Sequence, residues 1–311
     1  MTQLRYAVIG TGALGGFYGG MLAKTGKDVH FLFNRDFETV QKNGLIIDSV
    51  LGNYQIQHGN FYHETAKMPL CDVVLVCLKT TANHLLKKML PPLLHKDTCV
   101  ILIQNGLGME QALAEDFPSI AIAGGLAFIC SSKFAPGHIT HMDYGKLTLG
   151  SYSGENKTLL KQICDDLISA GVEAELSEDL ALSRWKKLVW NVPYNGLCVV
   201  MNSSTEQLMH HTQTFSLIRD MMLEVILAAQ ACGNNISERF AQVMLDSTNV
   251  MKPYAPSMKL DFDNHRPLEI KAIYSNPLAA AKQVGIDMPK VHMLEQQLCF
   301  CMDSYTSNDV K

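Results

Sequence analysis

Apolar residues follow two different rhythms along the chain. In the first half, unbroken apolar runs alternate with segments of helical period. Tyr6–Gly10, Asp28–Phe33, Asp72–Lys79 and Thr98–Gln104 are the runs. Short apolar stretches without alternation suit parallel strands covered on both faces. Between them the pattern predicts a helix from about residue 14 to 25, stopped by Gly26 as a C-terminal cap. A second helix is expected from Thr81 to Leu90, ended by Pro91 and Pro92. Leu45–Ser49 and Tyr54–Gln57 read as a hairpin, and Ile120–Cys130 and Ile139–Gly150 as further strands. A helix at Lys157–Ala170 and a strand at Val172–Leu176 close this half. From about 178 onward helical period dominates, over 178–201, 214–233, 236–250 and 267–284. The expectation is an α/β domain over residues 1–178 followed by an all-α domain over 179–311. Ser203–Glu206 reads as a helix cap with an acidic first turn, Asn249–Pro256 as a loop leading to Ser257, and the polar tail Ser304–Lys311 as a frayed end.

Composition narrows the classes. The 311 residues are 47% hydrophobic and 18% charged with a net charge of −4, which disfavours disorder and gives no basic footprint for nucleic acid. Nine cysteines at irregular spacing, without a CxxC pair, make a poor disulfide framework and point to a reducing, cytoplasmic compartment. His138 and His141 lie three apart on an expected strand and point to opposite faces, and no cluster joins them or His210-His211, so no metal site is expected. Residues 6–23 carry no charge and could pass for a signal-peptide core or a membrane span, but six glycines fall within them. No other apolar run approaches 18 residues, so no membrane association is expected.

Those glycines have a chemical reading. Gly10-Thr11-Gly12-Ala13-Leu14-Gly15 matches GxGxxG between a strand and a helix at the start of a βαβ unit. Such a loop turns tightly, lets a pyrophosphate approach the backbone, and aims free N–H groups at it. The next strand ends in Asn34-Arg35-Asp36. A carboxylate there would bind the ribose of NAD, and an arginine the 2′-phosphate of NADP. Both occur; the reading favours NADP, with Arg35 on the phosphate. Lys79 and Asn105 close two further strands, where ligands of open α/β sheets bind, although Asn105-Gly106 is also an ordinary turn pair.

A second informative stretch is RWKKLVWNVPYN, residues 184–195. Lys187, Asn191 and Asn195 are spaced i, i+4, i+8 and fall within roughly 80° of one helix face. Lys186 shares its face with Trp190 instead. A lysine and two asparagines in an apolar helix suit a small polar ligand, because burying them without polar partners is costly.

The chain resembles the ketopantoate reductase family over nearly its full length. The resemblance rests on GTGALG at the start, LKTTAN around Lys79, QNGLG around Asn105, RWKKLVWN around Lys187, and PSMKLD and LEI near Ser257 and Glu269. It implies a Rossmann-type NADP-binding domain followed by a helical domain, and NADPH-dependent reduction of a 2-oxo acid to a 2-hydroxy acid. Lys187 would then donate the proton to the developing alkoxide, with Glu269 ordering the site. Asn105, Asn191, Asn195 and Ser257 would contact substrate; Arg35, Lys79 and Asn105 would contact cofactor together with the glycine loop. The partner would be a small 2-oxo acid, acted on by a monomer or homodimer. The chain departs from the common pattern in having Asn195-Gly196 for Asn-Pro and Thr205 for a pocket asparagine. A related reductase or dehydrogenase for another 2-oxo or hydroxy acid, an opine-type dehydrogenase, and a non-catalytic NADP sensor therefore stand beside the leading reading.

Overall fold

The structure, a computed structural model, describes residues 3–251 and 255–308. Two compact units account for the chain: Met1–Gln104 with Met109–Leu180, and Asn105–Gly108 with Ala181–Lys311.

The first unit is built on ten strands. These are β1 (Arg5–Ile9), β2 (Asp28–Leu32), β3 (Leu45–Ser49), β4 (Tyr54–Ile56), β5 (Asn60–Tyr62), β6 (Val73–Val76), β7 (Cys99–Ile103), β8 (Ala121–Ala135), β9 (His138–Ser153) and β10 (Ala174–Ser177). Their order is β4-β3-β9-β8-β7-β6-β1-β2-β5, with β10 beside β9. From β5 to β8 every neighbouring pair is parallel. That follows from the unbroken apolar runs: β6 and β7 are buried at every position. Helices α1 (Ala13–Lys24), α2 (Phe37–Asn43), α3 (Leu86–Met89), α4 (Met109–Asp116) and α5 (Lys157–Ser169) complete the unit. Its core joins Tyr6, Val8, Phe17, Phe31, Leu75 and Ile101 with Leu160, Ile163 and Leu167 of α5.

β8 and β9 run on past their expected ends into a long antiparallel hairpin, turning at Pro136-Gly137. β3 pairs in parallel with the first part of β9, and β10 with a later part. The expected hairpin of β3 and β4 is present, antiparallel. The segment expected as one helix over Thr81–Leu90 is a 3₁₀ stretch, Thr80–Leu85, followed by the single turn of α3. Tight i→i+3 turns are common in such short connectors.

The second unit is helical: α6 (Leu180–Val200), α7 (Thr205–His210), α8 (Thr212–Ala231), α9 (Arg239–Asn249), α10 (Ser257–Asp263), α11 (Asn276–Gln283) and α12 (Pro289–Asn308). α6 runs unbroken through Pro193. Its apolar residues Leu188, Val189, Val192 and Leu197 pack in one core with Met221, Val225 and Ile226 of α8. Ser204 caps α7 in a capping box with Gln207, a reciprocal arrangement that satisfies two free N–H groups. The helical segment expected over 267–284 begins later, with a π-helical turn at Lys271–Ser275 before α11. α12 has no counterpart in the expected elements, although Val291, Leu294 and Leu298 make a buried stripe. Its first turn is held by Glu224, whose carboxylate accepts from the N–H of Lys290 at 3.0 Å and of Val291 at 3.1 Å. α12 continues to Asn308 through most of the expected frayed tail, and Asp309–Lys311 lie outside the described residues, as do Lys252–Tyr254 of the expected loop before Ser257. No helix among the described residues is long and apolar enough to cross a membrane.

Candidate active site

In the sheet unit the strand order reverses beside β1, with β2 on one side and β6 on the other. Ligands of open α/β sheets bind beyond the strand ends at such a switch point. The loop Gly10–Gly15 leaves β1 there. Gly10 has φ +88°, and a Cβ on it would lie 2.7 Å from the Leu78 nitrogen at the end of β6. A side chain at Gly15 would meet the Gly10 carbonyl at 2.5 Å. At Gly12, by contrast, a Cβ would have nothing within 4 Å. Two glycines are thus required by the protein's own packing, and the middle one faces open space. Gly12 is also the N-cap of α1, without a side-chain cap and without an acidic residue in the first turn. An open cradle at an uncapped helix start fits a dinucleotide pyrophosphate. Thr11 does not face that space with its hydroxyl, which donates to the Leu32 carbonyl at 2.9 Å and ties the loop to β2. Ala13 and Leu14 form the first turn of α1.

Burial distinguishes Arg35 from Asp36. Asp36 is buried, accepts from Lys133 Nζ at 2.9 Å and from the Gly137 N–H at 3.1 Å, and so fastens the β8–β9 turn. Its carboxylate is spent on the protein. Arg35 is exposed. The side chain left to meet a ligand at the end of β2 is therefore the cation, which fits a 2′-phosphate. Lys79 is exposed just beyond β6.

In the helical unit, α6 carries the polar row. Lys187 is half-buried, while Asn191 and Asn195 are 5% and 2% exposed. Asn191 Nδ2, a donor, and Asn195 Oδ1, an acceptor, are both buried without a hydrogen-bond partner among the described residues. Each such atom costs about 1–3 kcal/mol. Two in succession, one turn apart on one face, form a polar place on α6 that the hydrogen-bonding groups of a ligand would fit.

Lys187 titrates far below its ordinary 10.5, at about 7. Desolvation is the largest cause, followed by the positive charge of Arg184, and Glu269 partly opposes both. Glu269 is 5% exposed and lies just before the π-helical segment. π turns often occur at functional sites.

That segment also receives the loop that contains Asn105. The Leu107 N–H donates to the Ala272 carbonyl at 2.9 Å, and Asn276 Nδ2 donates to the Leu107 carbonyl at 2.6 Å. Gly106 has φ +105°, and a Cβ there would lie 2.3 Å from the Ala272 oxygen. The glycines of QNGLG are therefore explained by this packing. Asn105, half-buried, stands beside them in the helical unit rather than with the sheet it follows in sequence. Ser257 is half-buried at the first position of α10, and among the described residues no direct hydrogen bond joins it to the α6 row. Lys187 and Glu269 are thus brought into one electrostatic environment, with Asn191 and Asn195 further along the same helix face. Arg184 was not among the expected site residues. It is 3% exposed and lies three residues before Lys187, within the same arc of α6; helical spacing alone could have found it.

Comparison with known proteins covers both units. The family model "Ketopantoate reductase PanE/ApbA" matches residues 6–154, and the model of its C-terminal region matches residues 179–299. A curated 2-dehydropantoate 2-reductase of Nostoc sp. is 50% identical over 305 residues, covering 96% of each chain. Among solved structures, a 2-dehydropantoate 2-reductase from Geobacter metallireducens has 39% identity and a TM-score of 0.92, over 95% of this chain and 99% of that one. Another from Methylococcus capsulatus has 31% identity and a TM-score of 0.89, over 97% and 98%.

Proposed function

The chain belongs to the ketopantoate reductase family of NADP-dependent oxidoreductases, and from that premise we propose that it reduces 2-dehydropantoate to pantoate with NADPH in the cytoplasm, for pantothenate biosynthesis. In this reading residues 1–178 hold the cofactor and 179–311 hold the substrate, in a monomer or homodimer.

The observation that carries the reading is the orphaned pair on α6. Asn191 offers a buried donor and Asn195 a buried acceptor, so the ligand must bring an acceptor and a hydrogen-bond donor about one helical turn apart. 2-Dehydropantoate has both: carboxylate and ketone oxygens at one end and a hydroxyl at the other. A plain branched 2-oxo acid lacks the hydroxyl and leaves Asn195 Oδ1 unpaired.

The residues then divide the work. Gly10, Thr11, Gly12, Ala13, Leu14 and Gly15 cradle the pyrophosphate, and Arg35 takes the 2′-phosphate. Lys79 and Asn105 serve the cofactor side, and Asn105 and Ser257 the substrate. When bound, NADPH supplies the hydride that reduces the ketone carbon. Lys187 faces the oxygen on which negative charge develops. Its N–H bond breaks as the new O–H bond forms, and the neutral amine is reprotonated from water. A proton donor that titrates at about 7 is close to the optimum for transfer at neutral pH, and positioned general acids of this kind contribute ~10²–10⁴-fold. Glu269 keeps the amine's surroundings from becoming uniformly cationic and holds the site in order.

The test is NADPH oxidation with a panel of 2-oxo acids. The expected result is a kcat/KM for 2-dehydropantoate at least ~10²-fold above that for 3,3-dimethyl-2-oxobutanoate, its analogue without the hydroxyl oxygen. A higher value for another 2-oxo acid would reassign the substrate. NADPH binding without turnover of any of them would make the chain a sensor.

A further inference from the structure

We propose that Arg184 is a positioning residue for proton transfer: a fixed second cation, one turn before Lys187 on the same face of α6, that makes the lysine readier to release its proton to the substrate. The proposal rests on the reading of Lys187 as proton donor.

Geometry comes first. On a helix, residues i and i+3 are neighbours, about 5–6 Å apart at Cβ. Side chains lean toward the helix N-terminus, so the stem of Lys187 lies over the turn that carries Arg184. Arg184 is 3% exposed, which removes most of the water that would otherwise screen its charge. Of the charged groups around Lys187, Arg184 from its own helix and Glu269 from the segment entering α11 act on it with opposite signs. The two cations are chemically unequal. A guanidinium keeps its charge at any working pH, whereas a lysine amine can lose its proton. Of the pair, then, only Lys187 can yield, and Arg184 is the constant field that favours the yielding. A like charge at this range disfavours the protonated form of its neighbour, in the direction found for Lys187.

The experiment compares wild type with Arg184→Gln and Arg184→Lys. Two readouts are taken: the pH profile of kcat with 2-dehydropantoate, and the pH dependence of Lys187 acetylation by acetic anhydride, followed by peptide mass mapping without turnover. In Arg184→Gln both the alkaline limb of kcat and the acetylation midpoint of Lys187 should rise by about one pH unit. Arg184→Lys should bring both back toward wild type. An unmoved acetylation midpoint, or an Arg184→Lys variant that behaves like Arg184→Gln, overturns the proposal and leaves Arg184 a packing residue. A midpoint that moves while the kcat profile does not would instead sink the reading of Lys187 as proton donor. If Arg184→Gln fails to fold, Arg184→Met, which keeps an apolar stem without the charge, carries the same comparison.

Discussion

Replacing Asn195 with alanine should stabilise the free helical unit, against the usual expectation for a buried residue. The side chain is 2% exposed and its Oδ1 has no hydrogen-bond partner among the described residues. Removing that atom relieves a desolvation cost of about 1–3 kcal/mol. Asn195 also sits inside the 21-residue helix α6, where alanine is favoured over asparagine by about 0.6 kcal/mol. Against these stands the packing lost with the carboxamide, of order 1 kcal/mol for a few buried heavy atoms. The net gain is then about 1 kcal/mol. Both tryptophans, Trp185 and Trp190, lie on α6, so intrinsic fluorescence during urea unfolding reports on this unit. The variant should show a higher midpoint with an unchanged slope. It should also lose at least ~10-fold in kcat/KM for 2-dehydropantoate and discriminate less against the analogue without the hydroxyl. Destabilisation by more than about 1 kcal/mol would refute the reasoning, because it would mean that Oδ1 is already satisfied in the free protein.

Lys187→Met should lower kcat by ~10²–10⁴-fold while NADPH binding, read by fluorescence titration, survives; in wild type, kcat should fall as pH rises through about 7 and the donor loses its proton. Because the folded-state value lies below the unfolded one, the lysine charge costs stability in full below about pH 7 and less as pH rises toward 10.5; Lys187→Met should therefore stabilise most at the acid end of a urea-midpoint series. Gly12→Ala should fold normally, since its Cβ meets nothing within 4 Å, yet weaken NADPH binding at least ~10-fold by filling the cradle; Gly15→Ala should instead lose stability against the Gly10 carbonyl. Arg35→Ala should reduce the preference for NADPH over NADH, whereas Asp36→Ala should leave that preference in place and cost about 1–3 kcal/mol by stranding the buried Gly137 N–H; the ratio of kcat/KM for the two cofactors and the urea midpoint check the pair.

The features legible in the sequence are local in origin. GxGxxG between β1 and α1 is a matter of adjacent residues, and the strands β1, β6 and β7 are continuous apolar runs. The row Lys187–Asn191–Asn195 follows from helical period alone, and the Ser204 cap from residues three apart. Even Arg184 lay within reach of that period. What the tertiary structure decided depends on residues far apart in the chain. Asp36 and Arg35 look equivalent until Lys133 and Gly137, about a hundred positions later, occupy the carboxylate. Asn105 follows a strand of the sheet, but the carbonyl that fixes its loop belongs to Ala272. The low titration of Lys187 comes chiefly from desolvation, and Glu269 partly opposes it; helical spacing encodes neither. Periodicity specifies which side chains share a face; the dielectric around them, and the partners that reach them from elsewhere, arise only when distant segments pack.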